Sequence, residues 1–197
     1  MSEPEDYLNM AELDADRLEL LEYLLEEEGV GVAPAADRIS PRAATERLLL
    51  SFAQQRLWFI EQLEPGSPAY HIAGALRMAG RLDTDALGRS LDEICRRHEA
   101  LRTSFVTVGG QPEQVVSRDC RIALPVEDLT ALAEAEREAE VLRLSKEEAR
   151  RPFDLTRSPL WRARLLRLKE DEHALLLTMH HIVSDGWSSG VLVGELA

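Results

Sequence analysis

Two adjacent histidines, His180 and His181, are followed at fixed spacing by Asp185 and Gly186 in the run Met179-His180-His181-Ile182-Val183-Ser184-Asp185-Gly186. An imidazole has an ordinary pKa near 6.5, so either ring can take or give a proton at neutral pH. A carboxylate four residues further on can orient such a ring or brace the loop that carries it. Metal binding is the competing chemistry, because His180, His181, Asp185 and His173 are all ligand types. Neighbouring strand residues diverge, however, and no further cluster appears in the sequence, so no metal is expected. Ala174 to Met179 form a short apolar run of the kind that builds a strand buried on both faces, carrying both imidazoles into the interior. Successive strand side chains point to opposite faces, so the two histidines cannot both address one substrate. One is expected to be chemical and the other structural.

The elements that must position this pair are readable from spacing. Ser51-Phe52-Ala53-Gln54 has the spacing of a capping box, which predicts a helix from Ser51 that ends at Pro65-Gly66, with Phe52, Arg56, Phe59, Ile60 and Leu63 on one face. Tyr70 to Ala79 reads as a strand. Asp83 or Asp85 caps a second helix in which Leu87, Leu91, Ile94, Cys95 and His98 recur at helical spacing. Thr103 to Val108 and Pro112 to Ser117 flank Gly109-Gly110 as a hairpin, and Ile122 to Val126 is a weaker strand candidate. The stretch from Thr130 to Arg151 predicts a solvated helix with Leu132, Ala135, Ala139 and Leu142 turned inward, broken by Pro152. Leu160 to Leu168 and Glu172 to His181 form a second hairpin, and Trp187 to Ala197 begins a last helix. Strands and helices interleave without strict alternation, which predicts an α/β or α+β sandwich with a mixed sheet covered by helices.

Upstream, residues 1–30 form an acidic segment in which Leu13, Arg17, Leu20, Leu21, Leu24 and Leu25 make an amphipathic helix. It reads as a helix resting on its own domain or a leader, with docking to another polypeptide as the sharper alternative. Residues 31–47, rich in Pro and Ala, read as a linker, and residues 48–197 as the folded lobe. A chain of 197 residues with 45% hydrophobic content suits one globular domain. A formal net charge of −13 excludes ordinary nucleic-acid binding, which rests on Lys and Arg neutralising phosphates. No apolar run approaches the roughly 18 residues of a spanning helix, and the acidic start is unlike a signal peptide, so a cytoplasmic protein is expected. Cys95 lies on an apolar helix face and is expected to be reduced rather than paired with Cys120. Trp58, Trp161 and Trp187 read as core anchors, and Arg162, Arg164 and Arg167 as a solvated edge.

Three segments in order resemble the condensation domains of nonribosomal peptide synthetases, members of the chloramphenicol-acetyltransferase-like superfamily. Leu50 to Phe59, LSFAQQRLWF, resembles the motif SxAQxRLW; Arg97 to Phe105, RHEALRTSF, matches RHExLRTxF; and His180 to Gly186 matches HHxxxDG. Pro152-Phe153-Asp154-Leu155 and Ser158-Pro159-Leu160 also look familial. The resemblance implies the N-terminal one of two similar lobes, with the active site in a tunnel between them. The reaction implied is attack by the α-amine of an acceptor aminoacyl thioester on a donor acyl or peptidyl thioester, giving an amide. Both substrates would ride on phosphopantetheine arms of carrier domains, the upstream donor and downstream acceptor partners, so no cofactor is bound directly.

The same resemblance implies that His181 points into the tunnel while His180 is mainly structural. It implies that Asp185 turns away and pairs with an arginine, for which Arg97 is the first candidate and Arg102 the second. Gly186 is expected to admit backbone geometry that a side chain would block. An α-amine with a pKa of about 7.7–8.0 is partly unprotonated already at neutral pH. His181 is therefore open to three roles: base for the proton lost as the amide forms, typically about 10²–10⁴-fold, orienting group, or stabiliser of the tetrahedral intermediate. If Met1 begins the polypeptide, the donor comes from a separate protein, which raises the interest of residues 1–30 as a docking element. The alternatives are a non-catalytic interaction module and another acyltransferase of the same fold with a free amine or alcohol acceptor. A heterocyclisation domain would carry DxxxxD in place of the histidine motif, and the intact first two motifs count against epimerisation.

Overall fold

The computed structural model describes residues 47–196, so the expected leader helix and all but the last residue of the linker lie outside the described residues. Strand β1 (Leu48–Leu49) leads into helix α1 (Phe52–Leu63), followed by β2 (His71–Ala79), α2 (Thr84–Arg97), β3 (Thr103–Val108) and β4 (Gln111–Val116). Then come β5 (Val126–Asp128), α3 (Glu134–Arg150), β6 (Trp161–Lys169), β7 (Glu172–His180) and α4 (Gly186–Leu196). Short 3₁₀ turns at Pro68–Tyr70 and Glu99–Arg102 precede β2 and β3. A four-stranded sheet has the order β2-β7-β6-β5, antiparallel except for the parallel β5–β6 pair, and a three-stranded sheet has the order β1-β4-β3. The mixed sheet and its helices agree with the expected α/β sandwich.

Helix α1 starts where its capping box places it. The Ser51 hydroxyl accepts from the Gln54 N–H at 3.2 Å, and the Gln54 Oε1 accepts from the Ser51 N–H at 3.0 Å. Its expected apolar face is turned to solvent, with Phe52, Phe59 and Leu63 exposed, while Leu57 is the residue that enters the core. Asp83 caps α2 by accepting from the Ala86 N–H at 2.9 Å. Gly109 and Gly110, both with positive φ, make the β3–β4 turn that residues with a Cβ would resist.

Strand β7 is the centre of the molecule. Every residue from His173 to His180 is buried, as an apolar run between two helical layers requires. Leu175, Leu177 and Met179 face one layer with Leu87, Leu91 and Ile94 of α2 and Leu192 of α4. Ala174 and Leu176 face the other, with Leu144 of α3 and Leu166 and Leu168 of β6. The two faces thus alternate along the strand, and this alternation decides what happens at its end.

Several expectations are corrected. The inward stripe of α3 is Val141, Leu144 and Glu148, whereas Ala135, Ala139 and Leu142 are exposed. The helix begins at Glu134, so Leu132 precedes it, and counting the period from Leu132 selects the wrong face. Glu148 is only 5% exposed and pairs with Arg162, whose guanidinium also donates to the backbone oxygens of Glu148, Arg151 and Pro152 and lies 3.9 Å from the centre of the Phe153 ring. Arg164 pairs with Glu127 and Glu147. Arg162 and Arg164 lie on an inner strand flanked by β5 and β7 and form buttresses between the sheet and α3 rather than a solvated edge, whereas Arg167 is exposed, as expected, and lies 3.8 Å from Asp128. The weak strand candidate shifts by a similar amount to the start of α3: residues 122–125 are coil and β5 starts at Val126.

Cys95 and Cys120 form a disulfide, with Cα atoms 6.1 Å apart, so Cys95 is not a reduced core cysteine. The coil after β4 folds back over α2, where Asp92 accepts from the Ile122 N–H at 2.7 Å and brings the two sulfurs together. Trp161 is buried and Trp58 packs half-buried against the core, as expected of anchors, but Trp187 is 85% exposed. Among the described residues no helix is long and apolar enough to cross a membrane.

Candidate active site

The alternation along β7 continues past its end and parts the two histidines. His180 shares the face of Leu176 and Thr178 and is 2% exposed, stacked edge-on near Phe153 and His71 with ring centroids 6.1 and 5.9 Å away. Its Nδ1 accepts from the Ile182 N–H at 3.1 Å, so Nδ1 carries no proton. Burial, then the neighbouring His71 and His181, pushes His180 down to about 4. It is a neutral structural imidazole at physiological pH.

His181 turns to the opposite side and is exposed, which corrects the expectation that both rings enter the interior. It lies in an open cleft of about 390 Å³, shared with Gln54 and Arg56 of α1, Tyr70, Asp185 and Ser188. The imidazole is free of hydrogen bonds to the described residues, yet its backbone is held tightly on both sides. The His181 N–H donates to the Tyr70 carbonyl at 2.9 Å. The Ile182 side chain is 3% exposed among Leu57, Phe105, Phe153 and Leu160, and its carbonyl accepts from the Gln54 Nε2 at 3.2 Å. A ring open to a substrate is thereby carried on a fixed mount, which suits proton transfer, orientation or hydrogen bonding at a reacting centre.

Asp185 is exposed and its carboxylate pairs with neither candidate arginine. One oxygen accepts from both the Ser188 N–H, at 2.8 Å, and the Ser188 hydroxyl, at 2.6 Å, capping the start of α4. These two donors, the hydroxyl foremost, hold the carboxyl below the usual carboxylate range, with His181 a smaller influence. Arg97 lies 3.4 Å from the Glu195 carboxylate, and Arg102 donates to the Ser117 carbonyl and reaches Glu99 at 3.4 Å. Both belong to the second motif, but the fold directs them to the far end of α4 and to the β4 exit. Arg56, from the first motif, is the arginine that shares the cleft with Asp185.

Gly186 is the first residue of α4, its φ is not positive, and a Cβ there would meet nothing within 4 Å. The expected backbone constraint is absent. What the position contributes is open space at the cleft rim. A smaller, more apolar pocket of about 170 Å³ adjoins the cleft through Val183 and Ser188 and is lined by Ile94, Leu101 and the exposed Trp187. His173 is buried at the other end of β7, far along the strand from His180, so the four ligand types considered for a metal do not converge. The sequence signals that could have revealed the cleft's missed residues were the capping box, which orients Gln54, and the Ser188 three residues after Asp185.

The profile of the Condensation domain family matches residues 44–197. One component of the linear gramicidin synthase of Brevibacillus parabrevis is 47% identical over 180 residues, covering 91% of this chain and 2% of that protein. Phosphinothricin tripeptide synthetase PhsC from Streptomyces viridochromogenes is 45% identical over 166 residues, 83% of this chain and 15% of that protein. Among solved structures, the starter condensation domain of rhizomide synthetase RzmA superposes with a TM-score of 0.70 at 26% identity over 78% of this chain and 37% of that one. The chain therefore spans a small fraction of those synthetases and little more than a third of that solved domain.

Proposed function

Since the chain belongs to the condensation-domain family of nonribosomal peptide synthetases, we propose that it supplies the first lobe of a domain that forms amide bonds between carrier-bound substrates. The acceptor's amine nitrogen attacks the donor's acyl or peptidyl thioester carbon. A C–N bond forms, the C–S bond breaks, the donor thiol leaves, and the nitrogen gives up a proton. His181 is the residue of this lobe that meets the reacting atoms. It takes that proton, orients the amine, or hydrogen-bonds the tetrahedral oxyanion.

The observation that carries this reading is the unequal pair: His180 buried and held neutral, His181 presented to an open cleft on a backbone fixed by Tyr70 and Gln54. Asp185 and Gly186 act on α4 and the cleft rim. Arg97 and Arg102 act on the scaffold, through Glu195 and through the Glu99 to Ser117 segment. Donor and acceptor arrive on phosphopantetheine arms of carrier domains, and the lobe itself holds no cofactor. The second lobe completes the cleft, so this chain alone is inactive. Incubating loaded donor and acceptor carriers with this chain, or with the chain extended through a second lobe, and weighing the intact acceptor carrier tests the proposal. Amide-linked acceptor in the extended form alone is the expected result. No product in either form would count against an amide-forming domain.

A further inference from the structure

Gln54 lies in helix α1, distant in sequence from the histidine pair, yet its side chain ends on the carbonyl next to His181. Its amide orientation is fixed by its partners. Oε1 accepts from the Ser51 N–H at 3.0 Å, which an NH₂ group could not do. Nε2 must then face the other way, where it donates to the Ile182 carbonyl at 3.2 Å and lies 3.5 Å from the Gln114 Oε1. Gln114 is oriented independently and consistently, since its own Nε2 donates to the Leu49 carbonyl at 2.9 Å. A chain of amides thus runs from β1 through β4 and the first turn of α1 to the His181 loop.

We infer that Gln54 is a positioning residue, which sets the direction of the His181 imidazole by gripping the Ile182 carbonyl. The inference rests on the reading of His181 as the group at the reaction centre. His181 needs such a grip because its own ring has no hydrogen-bond partner among the described residues, and its direction comes from the peptide planes on either side. The preceding plane is held by the bond from the His181 N–H to the Tyr70 carbonyl. The following region is held by the Ile182 N–H on His180 and the Ile182 carbonyl on Gln54. Of these, the Gln54 bond is the one made by a side chain that substitution can change without touching either histidine. The helix cap and the loop grip use different atoms of the same amide, so they are separable.

Gln54→Glu separates them. A carboxylate still accepts from the Ser51 N–H and preserves the capping box, but it has no hydrogen to give the Ile182 carbonyl. Gln54→Met removes the donor without adding charge. Ser51→Ala removes the hydroxyl that caps the Gln54 N–H while leaving the grip on Ile182 in place. With the full 197-residue chain labelled at histidine, the His181 ring correlation is followed by NMR at one fixed pH. The expected result is a shifted and broadened His181 signal in both Gln54 variants, with Gln54→Glu melting close to the parent. Ser51→Ala, by contrast, should melt lower with the His181 signal unmoved. In the two-lobed domain, Gln54→Glu should lower kcat by on the order of 10–100-fold with little change in KM for the carriers, the signature of a misplaced group. His181 signals in both Gln54 variants that superimpose on the parent's would overturn the inference. Unimpaired turnover by His181→Ala would instead remove the reading of His181 as catalytic, and it would leave the ring signals to decide the role of Gln54.

Discussion

Acid should destabilise this lobe through one identifiable side chain, His180. Burial holds its folded pKa down to about 4, against an ordinary value near 6.5 in the unfolded chain. Above pH 6.5 the ring is neutral in both states and its titration costs nothing. As the pH falls below 6.5 the unfolded chain takes up a proton that the folded one refuses, so stability is lost, and the loss levels off once the pH is below 4. Linkage puts the contribution at about 2 kcal/mol by pH 5, approaching about 3 kcal/mol at the plateau. The structural cause is explicit: a proton on Nδ1 would oppose the Ile182 N–H that donates to it, and the charge would sit against His71 with no carboxylate among the described residues bonded to it.

Urea unfolding followed by circular dichroism at about pH 7.5, 6 and 5 gives the stability of the parent and of His180→Asn. The variant is expected to start lower at neutral pH, because an Asn fills the site less well. From there it should lose less on acidification, so that the two stabilities converge by about 2 kcal/mol between pH 7.5 and 5. Carboxylates whose folded pKa is depressed, such as Asp185, also lose stability in acid, but they do so equally in both proteins. Parallel pH profiles for parent and variant would refute the assignment of a depressed pKa to His180.

Other perturbations follow from the same contacts. Glu148→Ala strands the Arg162 guanidinium in a half-buried site and should cost about 3–5 kcal/mol in urea unfolding, whereas Glu148→Leu combined with Arg162→Met should be far milder. If it is equally damaging, the pair's polar contacts, not its stranded charge, decide stability. Reducing the Cys95–Cys120 disulfide, which closes a separation of 25 residues, should lower unfolding stability by about 3 kcal/mol, read from denaturation with and without dithiothreitol. Two alkylatable thiols in the untreated protein would contradict the bond. Asp185→Ala should lower the thermal midpoint by removing the α4 cap, while Asp185→Asn, an equally good cap residue, should leave it nearly unchanged. An equal drop in both would point to the charge of Asp185 and not to its acceptor oxygen.

What the sequence disclosed and what it hid divide along physical lines. Local signals were legible: the Ser51 box, an aspartate cap on α2 narrowed to Asp83 or Asp85, the Gly109-Gly110 turn and the apolar run into His180 each depend on residues within a few positions of one another. The parting of His180 from His181 was also legible, because strand alternation is a local rule. Which of the two faces would be closed was not legible from spacing, since that depends on Phe153 and His71 arriving from elsewhere, and the family resemblance alone assigned it. Long-range pairings were hidden for the same reason. Arg97 and Arg102 look like partners for Asp185 until the fold places Glu195 beside one and Ser117 beside the other, and puts Ser188 within reach of the carboxylate. Cys95 looks like a core thiol until the coil after β4 brings Cys120 over it. In α3 the error was one of phase, from including Leu132 in a helix that starts at Glu134.

The role proposed for His181 is to act on the reacting atoms from the cleft while His180 supports it. The most direct test is intact-protein mass spectrometry of loaded donor and acceptor carriers with a complete two-lobed domain, comparing the parent with His181→Ala at early time points. The amide-linked acceptor is expected to form with the parent and to fall by about 10²-fold or more with the variant, with folding unchanged because the ring makes no hydrogen bond to the described residues. Product formed at the parent's rate by His181→Ala would contradict it.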